Sequence, residues 1–255
     1  MKSPSIFLEH RYPFRAVKSM QKIMVLNAKG GCGKTTIATN LAACYAHRGF
    51  YPALLDYDPQ ASATKWLDIR PEHVNPIHGI EAHKQKLTIT RSWQMRMPPN
   101  VDRVIIDTPA AAGNQELTDY MRDANVILIP VLPSPIDIHA TIAFIEELLV
   151  IGKMRTSLTN GMKTRIGIVA NRATENTKVY QSLQGFLAGV DLPFVTSLSD
   201  SHYYVHAFVE GIGLHEIRDS RTLMLRQQWQ PLLDWIDNPE DAGNNENDAV
   251  DPAQY

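Results

Sequence analysis

Cysteine is scarce in this sequence of 255 residues, where only Cys32 and Cys44 occur. Two cysteines cannot form a disulfide framework or a cysteine-rich metal site, so neither device is expected to hold the fold together. So few cysteines are typical of a reducing compartment, and we expect a cytoplasmic location.

Long hydrophobic runs are also missing. No stretch approaches the 18 consecutive apolar residues that indicate a membrane-spanning helix. The first residues contain no continuous apolar segment of the kind found in signal peptides, so we expect no secretory leader. A transit peptide is an alternative, because this stretch is basic and nearly free of acidic residues.

A large net charge of either sign is the third absence. The chain carries 25 Lys and Arg against 27 Asp and Glu, for a formal charge of −2. The charges fall in three blocks: about +4 over residues 1–22, zero over 23–236 and −6 over 237–255. The balance excludes a histone-like basic chain, and a polyanion partner would have to be bound by local patches.

These blocks suggest a division of the chain into three parts. Residues 1–20 form an N-terminal extension, either a true basic arm or, as we favour, an upstream extension ahead of a start at Met20. Residues 21–236 form one domain. Residues 237–255 form an acidic tail rich in Asn, which its composition predicts to be disordered.

Short apolar runs alternate with helix-like segments between residues 22 and 236. This alternation predicts an α/β fold, a doubly wound and mostly parallel sheet with helices on both faces. The predicted strands are 22–27, 53–56, 104–107, 126–131, 166–170 and 193–195. The predicted helices are 34–48, 115–123, 137–151, 177–188 and 221–236. Ligands of such sheets bind at the carboxyl ends of the strands, where glycines, Asp56, Asp58, Asp107 and Asn171 follow.

The segment from Ala28 to Thr36, Ala-Lys-Gly-Gly-Cys-Gly-Lys-Thr-Thr, joins the first strand to the first helix. It differs from the phosphate-binding loop pattern only by Ala28 in place of the first glycine. Its glycines allow backbone N–H groups to surround a phosphate at the positive end of the helix. Lys34 is expected to reach the β- and γ-phosphates, and the Thr35 hydroxyl to bind Mg²⁺. Cys32 is expected to be a small filler of the loop.

Lys29, immediately ahead of these glycines, makes the segment similar to the deviant Walker A motif of the ParA and MinD ATPases. The resemblance implies a P-loop NTPase fold of the SIMIBI type, ATP and Mg²⁺ as ligands, and a homodimer in the ATP state. In that family the early lysine crosses to the phosphates held by the partner, a role that would fall on Lys29. It would act there like an arginine finger.

Three further stretches resemble motifs of the same family. Asp56-Tyr-Asp-Pro-Gln60 implies that Asp58 positions the attacking water and that Asp56 lies near the Mg²⁺ shell. The run ending in Asp107-Thr-Pro implies that Asp107 holds Mg²⁺ through water. The third stretch, Ala170-Asn171-Arg172, implies that Asn171 contacts the adenine base. The implied catalytic residues are Lys29, Lys34 and Asp58. The implied metal residues are Thr35, Asp56 and Asp107. The nucleotide residues are Lys29, Gly30, Gly31, Cys32, Gly33, Lys34, Thr35, Thr36 and Asn171.

Within that family the Asp-Pro-Gln segment favours ParA over MinD. The stretch from Pro130 to His139 resembles short ParA-like proteins without an operator-binding domain. Such a protein would bind nucleoid DNA nonspecifically and position a plasmid, a chromosome region or an organelle such as a carboxysome in a bacterial cell. A ParB-like or adaptor protein on the cargo would stimulate hydrolysis. The candidate DNA contacts are Arg218, Arg221 and Arg226, followed by Lys153, Arg155, Lys163 and Arg165.

Two alternatives remain open. One is a MinD-like regulator that cycles on a membrane, which the acidic residues at the C-terminal end oppose, so we expect no stable membrane association. The other is a small-molecule synthetase of the same fold, with a substrate pocket built from residues 72–100.

Overall fold

The computed structural model of the protein describes residues 20–83, 97–110, 112–156, 164–174, 177–187, 189–190 and 192–238. The described residues form seven strands. In chain order, β1 to β7 are Gln21–Val25, Pro52–Asp56, His78–Glu81, Arg103–Asp107, Val126–Val131, Arg165–Ala173 and Phe194–Ser199. They form one sheet in the order β3-β2-β4-β1-β5-β6-β7, and every neighbouring pair is parallel.

The helices connect the strands and cover the sheet. In chain order, α1 to α8 are Lys34–His47, Ser62–Asp68, Asn114–Asp123, Pro135–Thr156, Lys178–Leu187, His202–Val209, Leu223–Gln227 and Gln230–Asp237. Two short 3₁₀ turns, Leu214–Glu216 and Ser220–Thr222, lie between α6 and α7. Among the described residues, no helix has the length and apolar character needed to span a membrane.

Strands β1, β2, β4, β5 and β6 contain apolar runs because both faces of the sheet are covered. In β1, Ile23 and Val25 pack on the face covered by α1, α2, α6 and α8, whereas Met24 packs on the face covered by α3, α4 and α5. A doubly wound sheet follows, which confirms the predicted fold class; the sheet proves to be parallel throughout.

Three elements escaped the sequence prediction. The short helix α2 begins after Ala61, a non-glycine residue with φ of 53°, and carries no conventional capping side chain. Strand β3 is an edge strand of four residues in which only Ile80 is buried. Helix α6 directly follows β7, which extends four residues beyond its predicted end.

The single closing helix predicted over 221–236 was wrong. This stretch is divided into a 3₁₀ turn, α7 and α8. The physical reason is Pro231 in the first turn of α8, because proline has no N–H to continue a preceding helix but is well placed at a helix start.

Strand β6 contains a bulge near its carboxyl end. Its pairing with β7 shifts between Ala170 and Ala173, and Arg172 has a positive φ of 50°. One extra residue in a strand bends it and redirects the neighbouring side chains. Asn171 lies within this bulge, between Ala170 and Ala173.

Helix α8 packs beside the amino ends of the central strands. Asp237, the first residue of the predicted acidic tail, is the last residue of α8 and accepts hydrogen bonds from Arg103 and Tyr45. The N-terminal extension up to residue 19 and the tail from residue 239 lie outside the described residues.

Candidate functional site

The glycine-rich loop lies between β1 and α1, at the carboxyl edge of the sheet. Gly31 and Gly33 have φ values of 76° and 94°, a left-handed conformation that side-chain-bearing residues rarely adopt. Helix α1 begins at Lys34, directly after Gly33. The N–H groups of its first turn therefore face the loop, as an anion site requires.

Asn27 fixes the entrance of this loop. Its side-chain oxygen accepts a hydrogen bond from the Lys29 N–H at 2.9 Å, and its amide nitrogen donates to the Pro130 carbonyl of β5 at 2.8 Å. The side chain is buried, so both groups need these partners. Sequence reasoning gave Asn27 no role, because its partner Pro130 lies 103 residues further along the chain.

Asn171 fixes the exit of the loop. Its amide nitrogen donates to the Cys32 carbonyl at 2.8 Å, and a Cβ atom on Gly33 would lie 2.0 Å from that nitrogen. Gly33 is thus required for close approach as well as for its φ. The described contact is to the phosphate loop, and the contact of Asn171 with an adenine base stays a prediction.

The two lysines of the loop differ in their surroundings. Lys34 is buried, and its ammonium donates to the Asn27 and Lys29 carbonyls at 3.0 and 3.1 Å. The Lys29 side chain is 40% exposed, and its ammonium lies 3.7 Å from the Asp137 carboxylate of α4. The Ser134 hydroxyl donates to the other oxygen of Asp137 at 2.6 Å and so orients this carboxylate.

Cys32 lies inside the loop and is buried. Its thiol contacts the Lys29 carbonyl at 3.2 Å, and burial raises its pKa, so the thiol stays protonated. These properties support the expected role as a filler, because a reactive cysteine is a thiolate with access to solvent.

Asp107 ends β4 beside the loop and is completely buried. Within the described part of the chain, neither of its carboxylate oxygens accepts a hydrogen bond. Burial raises its pKa to about 7, and the nearby carboxylates of Asp56 and Asp58 add to the rise. The Thr35 hydroxyl and the Lys34 ammonium lower the pKa of Asp107.

An unsatisfied buried carboxylate beside a threonine hydroxyl fits a divalent cation. The described residues contain no cluster of three or more His, Cys, Asp or Glu that would enclose a metal by themselves. Mg²⁺ needs no such cluster, since it usually takes one or two protein ligands together with water and phosphate oxygens. Thr35 and Asp107 are the residues that would hold it.

Asp56 lies beside Asp107 on the neighbouring strand but has other partners. One carboxylate oxygen accepts the Asp58 N–H at 3.0 Å, and the other accepts the Thr64 N–H and hydroxyl at 2.8 and 3.0 Å. Asp56 thereby ties residues 57–64 and the first turn of α2 to the end of β2. The contacts assign it a structural role in the loop, and its predicted place near the Mg²⁺ shell stays a prediction.

Asp58 lies on this same loop and is half-buried. One oxygen of its carboxylate accepts the Gln60 N–H at 2.9 Å, which orients the side chain. Asp58 contributes to the raised pKa of Asp107, so the two carboxylates share one electrostatic environment. The structure thus brings Lys34, Thr35, Asp58 and Asp107 to one edge of the sheet, while their roles toward nucleotide and metal stay predictions.

The basic residues proposed for DNA differ among themselves. Arg218 is exposed, while the exposed Arg221 forms an ion pair with Asp219 at 2.7 Å. Arg226 donates to the carbonyls of Ile217 and Asp219, and to the Thr222 hydroxyl, so its guanidinium holds the turn over residues 217–222.

Arg165 is likewise engaged within the fold. Its guanidinium donates to the Trp235 and Ile236 carbonyls at 2.7 and 2.8 Å and so attaches α8. The side chains of Lys153, Arg155 and Lys163 lie outside the described part of the chain.

The family model and the curated relative that match this chain agree with each other. The family model "CobQ/CobB/MinD/ParA nucleotide binding domain" matches residues 23–206. The curated protein "Maintenance of carboxysome distribution protein A" from Halothiobacillus neapolitanus is 27% identical over 208 residues, which cover 76% of this chain and 87% of that protein.

Solved structures show the same fold. A plasmid partition protein from Borrelia burgdorferi B31, bound to AMPPNP, superimposes with a TM-score of 0.65 at 15% identity and covers 84% of this chain and 99% of its own. Apo McdA from Cyanothece gives a TM-score of 0.63 at 19% identity over 88% of this chain and 99% of its own.

Proposed function

Since the chain belongs to the CobQ/CobB/MinD/ParA nucleotide-binding family, we propose that it is a Mg-ATP-dependent, dimerising ATPase of the ParA type. The ATP-bound dimer binds nucleoid DNA without sequence preference and positions a cargo in a bacterial cell. A partner protein on the cargo stimulates hydrolysis and releases the dimer from DNA.

The pair of lysines at one phosphate loop carries this proposal. Lys34 is buried against the loop and serves the nucleotide of its own subunit. The Lys29 side chain is 40% exposed, and among the described residues its ammonium forms one ion pair, with the Asp137 carboxylate at 3.7 Å. The separation of 3.7 Å between this ammonium and the Asp137 carboxylate exceeds hydrogen-bond distance, so the contact restrains the lysine only weakly. It is therefore available for phosphates bound by a second copy of the chain.

The other residues of the site fit hydrolysis of the γ-phosphate. Thr35 and Asp107 would hold Mg²⁺, which would supply positive charge to offset the negative charge of the phosphates. Asp58 orients the attacking water, while Asp56 holds the loop that carries it. Lys29 from the partner compensates the charge that develops in the transition state, so dimerisation and turnover are coupled.

The alternatives receive less support. A membrane-cycling protein needs a free apolar face on a C-terminal helix. In α8, the last helix of the described residues, Leu232, Leu233 and Ile236 are buried in the core. A small-molecule synthetase has no use for the exposed Lys29. Its proposed substrate segment, 72–100, includes residues 84–96, which lie outside the described part of the chain.

The similarity to a carboxysome distribution protein favours a protein organelle as the cargo. The likeness to a plasmid partition protein is one of fold alone, at 15% identity. Either cargo requires the same cycle of nucleotide, dimer and DNA.

Retention of the purified chain on nonspecific DNA tests the proposal. We expect retention with Mg-ATP, little retention with ADP or without nucleotide, and loss of binding as salt increases. Lys29→Ala should bind nucleotide but lose stimulated hydrolysis and retention. Lys178→Ala, which removes an exposed lysine on α5, is the matched control and should behave as the unmodified chain. Equal retention in all three nucleotide states would refute the nucleotide switch.

Flotation with anionic liposomes separates the proposal from the membrane-cycling alternative. With Mg-ATP present, we expect the chain to stay in the lower fraction. Flotation that depends on ATP would favour the membrane cycle over DNA binding.

A further inference from the structure

The segment from Gly211 to Glu216, which we call the bridge, connects α6 to the turn that carries Arg218 and Arg221. It packs against α1, the helix that follows the phosphate loop. The Leu214 N–H donates to the Asn40 side chain at 2.8 Å, and the Asn40 amide donates to the Thr36 carbonyl at 2.8 Å. These two hydrogen bonds therefore connect the bridge to the phosphate loop through Asn40.

The bridge also packs against α2, the helix that follows the Asp58 loop. Gly211 has a positive φ of 64°, and a Cβ atom there would lie 2.6 Å from the Ile69 carbonyl. The Trp66 indole N–H donates to the Ile212 carbonyl at 3.3 Å. This close backbone approach leaves no room for the bridge and α2 to move independently.

A buried ion pair joins the two segments. The Arg70 guanidinium, just beyond α2, makes two parallel hydrogen bonds to the Glu216 carboxylate at 3.0 and 2.5 Å. The side chains of Arg70 and Glu216 are 6% and 3% exposed. Arg70 also donates to the Asn75 and Gly211 carbonyls, and Glu216 accepts the Gly213 N–H.

Each end of this pair leads to a functional surface. On one side, α2 is tied to the site through Thr64 and Asp56, next to Asp107. On the other side, the Ile217 carbonyl accepts a hydrogen bond from Arg226, which holds the turn that presents Arg218. The chain of contacts from nucleotide site to exposed arginines is continuous.

We propose that Arg70 and Glu216 are positioning residues that transmit the state of the Asp56–Thr64 loop to the turn carrying Arg218 and Arg221. The purpose of this coupling rests on the proposed function, because DNA would be the ligand of that turn. A bidentate pair of this kind fixes relative orientation as well as distance, so movement of α2 moves the bridge. The coupling is reciprocal, and a ligand on the turn would also change nucleotide affinity.

Hydrogen exchange of the full chain with and without Mg-ATP tests the coupling and needs no DNA. In the unmodified chain we expect nucleotide to change exchange at residues 28–36, at 56–64 and at 211–222. In Arg70→Met/Glu216→Gln, the first two changes should persist, while the change at 211–222 should be lost. Replacing both partners avoids leaving one buried charge alone.

Two further variants keep the result decisive. Arg48→Met removes an arginine from the exposed ion pair with Asp237 and should leave all three changes in place. If the double variant does not fold, Glu216→Gln alone keeps an acceptor for the Gly213 N–H and should reduce the change at 211–222.

Two outcomes would overturn the inference. One is a nucleotide response at 28–36 without any response at 211–222 in the unmodified chain. The other is a response at 211–222 that the folded variants retain in full. Neither depends on DNA retention, so failure of the coupling is distinguishable from failure of the proposed function.

Discussion

At the scale of single residues, Asp107 combines complete burial with a carboxylate that no described group satisfies. Desolvation of its charged form explains the rise of its pKa to about 7. In the unfolded chain the same carboxyl ionises near its ordinary pKa of 3.8. Between about pH 4 and pH 7, the ligand-free folded chain therefore keeps a proton on Asp107, whereas the unfolded chain has released it.

The sign of this difference predicts how stability depends on pH. The pKa of this carboxyl is higher in the folded chain than in the unfolded chain. The contribution of protonated Asp107 to the free energy of unfolding is therefore lost as pH rises from about 4 to about 7. Asp107→Asn, which cannot ionise, should escape that loss. Without nucleotide and Mg²⁺, we expect the variant to be more stable than the unmodified chain at pH 8, by at most about 4 kcal/mol. Denaturant unfolding at several pH values measures the difference.

Asp68→Asn is the control, because Asp68 is an exposed carboxylate at the end of α2. Its stability should follow that of the unmodified chain at every pH. Mg-ATP should stabilise the unmodified chain more than Asp107→Asn, since ligand binding favours the state that binds it. An Asp107→Asn variant with unchanged pH dependence would contradict the explanation.

Asn171 allows two roles to be separated by one substitution. Its amide is bound to the Cys32 carbonyl, so Asn171→Ala should loosen the phosphate loop. We expect ATP and GTP affinities to fall by similar factors, about tenfold for one lost buried hydrogen bond. Titration with both nucleotides measures this. Loss of ATP affinity alone would instead support a contact with the adenine base.

At the scale of elements, α8 is attached to the sheet by polar contacts at its last turn. Asp237 accepts from the Arg103 guanidinium at 3.1 Å and from the Tyr45 hydroxyl at 3.2 Å. Arg103 is buried over the Phe50 ring, 4.6 Å from its centroid. The pair closes the amino-terminal edge of the sheet, opposite the nucleotide site.

Removing this acceptor charge should destabilise the fold without affecting the site. For Asp237→Asn we expect a loss of about 1–3 kcal/mol in the free energy of unfolding, because a buried arginine loses its charged partner. Asp234→Asn, on the exposed side of the same helix, should cost under about 0.5 kcal/mol. Urea unfolding compares the two, and equal losses would argue against the anchoring role of Asp237.

The elements that sequence predicted well are those determined by local pattern. The buried strands β1, β2, β4, β5 and β6 appear as apolar runs, and the glycine-rich loop has its own residue signature. Strand β3, with one buried side chain, carries no comparable pattern. Asn27 and Asn171 gave no local signal for their roles, because their partners lie 103 and 139 residues away.

At the scale of the whole molecule, the charge distribution limits how the proposed DNA ligand could be bound. Residues 23–236 carry no net charge, so attraction must come from groups placed on one surface. Of the three arginines predicted near the last helices, Arg218 is exposed, while Arg226 is used by the fold. The proposed DNA binding would then rest on few phosphate contacts per subunit, and the proposed dimer would be needed for useful affinity.

Two substitutions distinguish an arginine that contacts DNA from one that supports the fold. Arg218→Ala should lower ATP-dependent DNA affinity and reduce the salt slope by about 1 per subunit, with unchanged thermal stability. Arg226→Ala should lose about 1–3 kcal/mol of stability in every nucleotide state, because the turn over 217–222 loses its hydrogen bonds. Retention assays and thermal melts measure these effects. An Arg226→Ala variant of normal stability that no longer binds DNA would reverse the two assignments.

The long distances between the two asparagines and their partners also have a consequence for synthesis of the chain. Asn27 meets Pro130, and Cys32 meets Asn171, so the phosphate loop is complete only after residue 171 has left the ribosome. At about 5–20 residues per second, translation of the chain from Cys32 to Asn171 takes roughly 7–30 s. During that time the nascent chain lacks a finished site for ATP, and nucleotide cannot stabilise it until most of the domain has been translated.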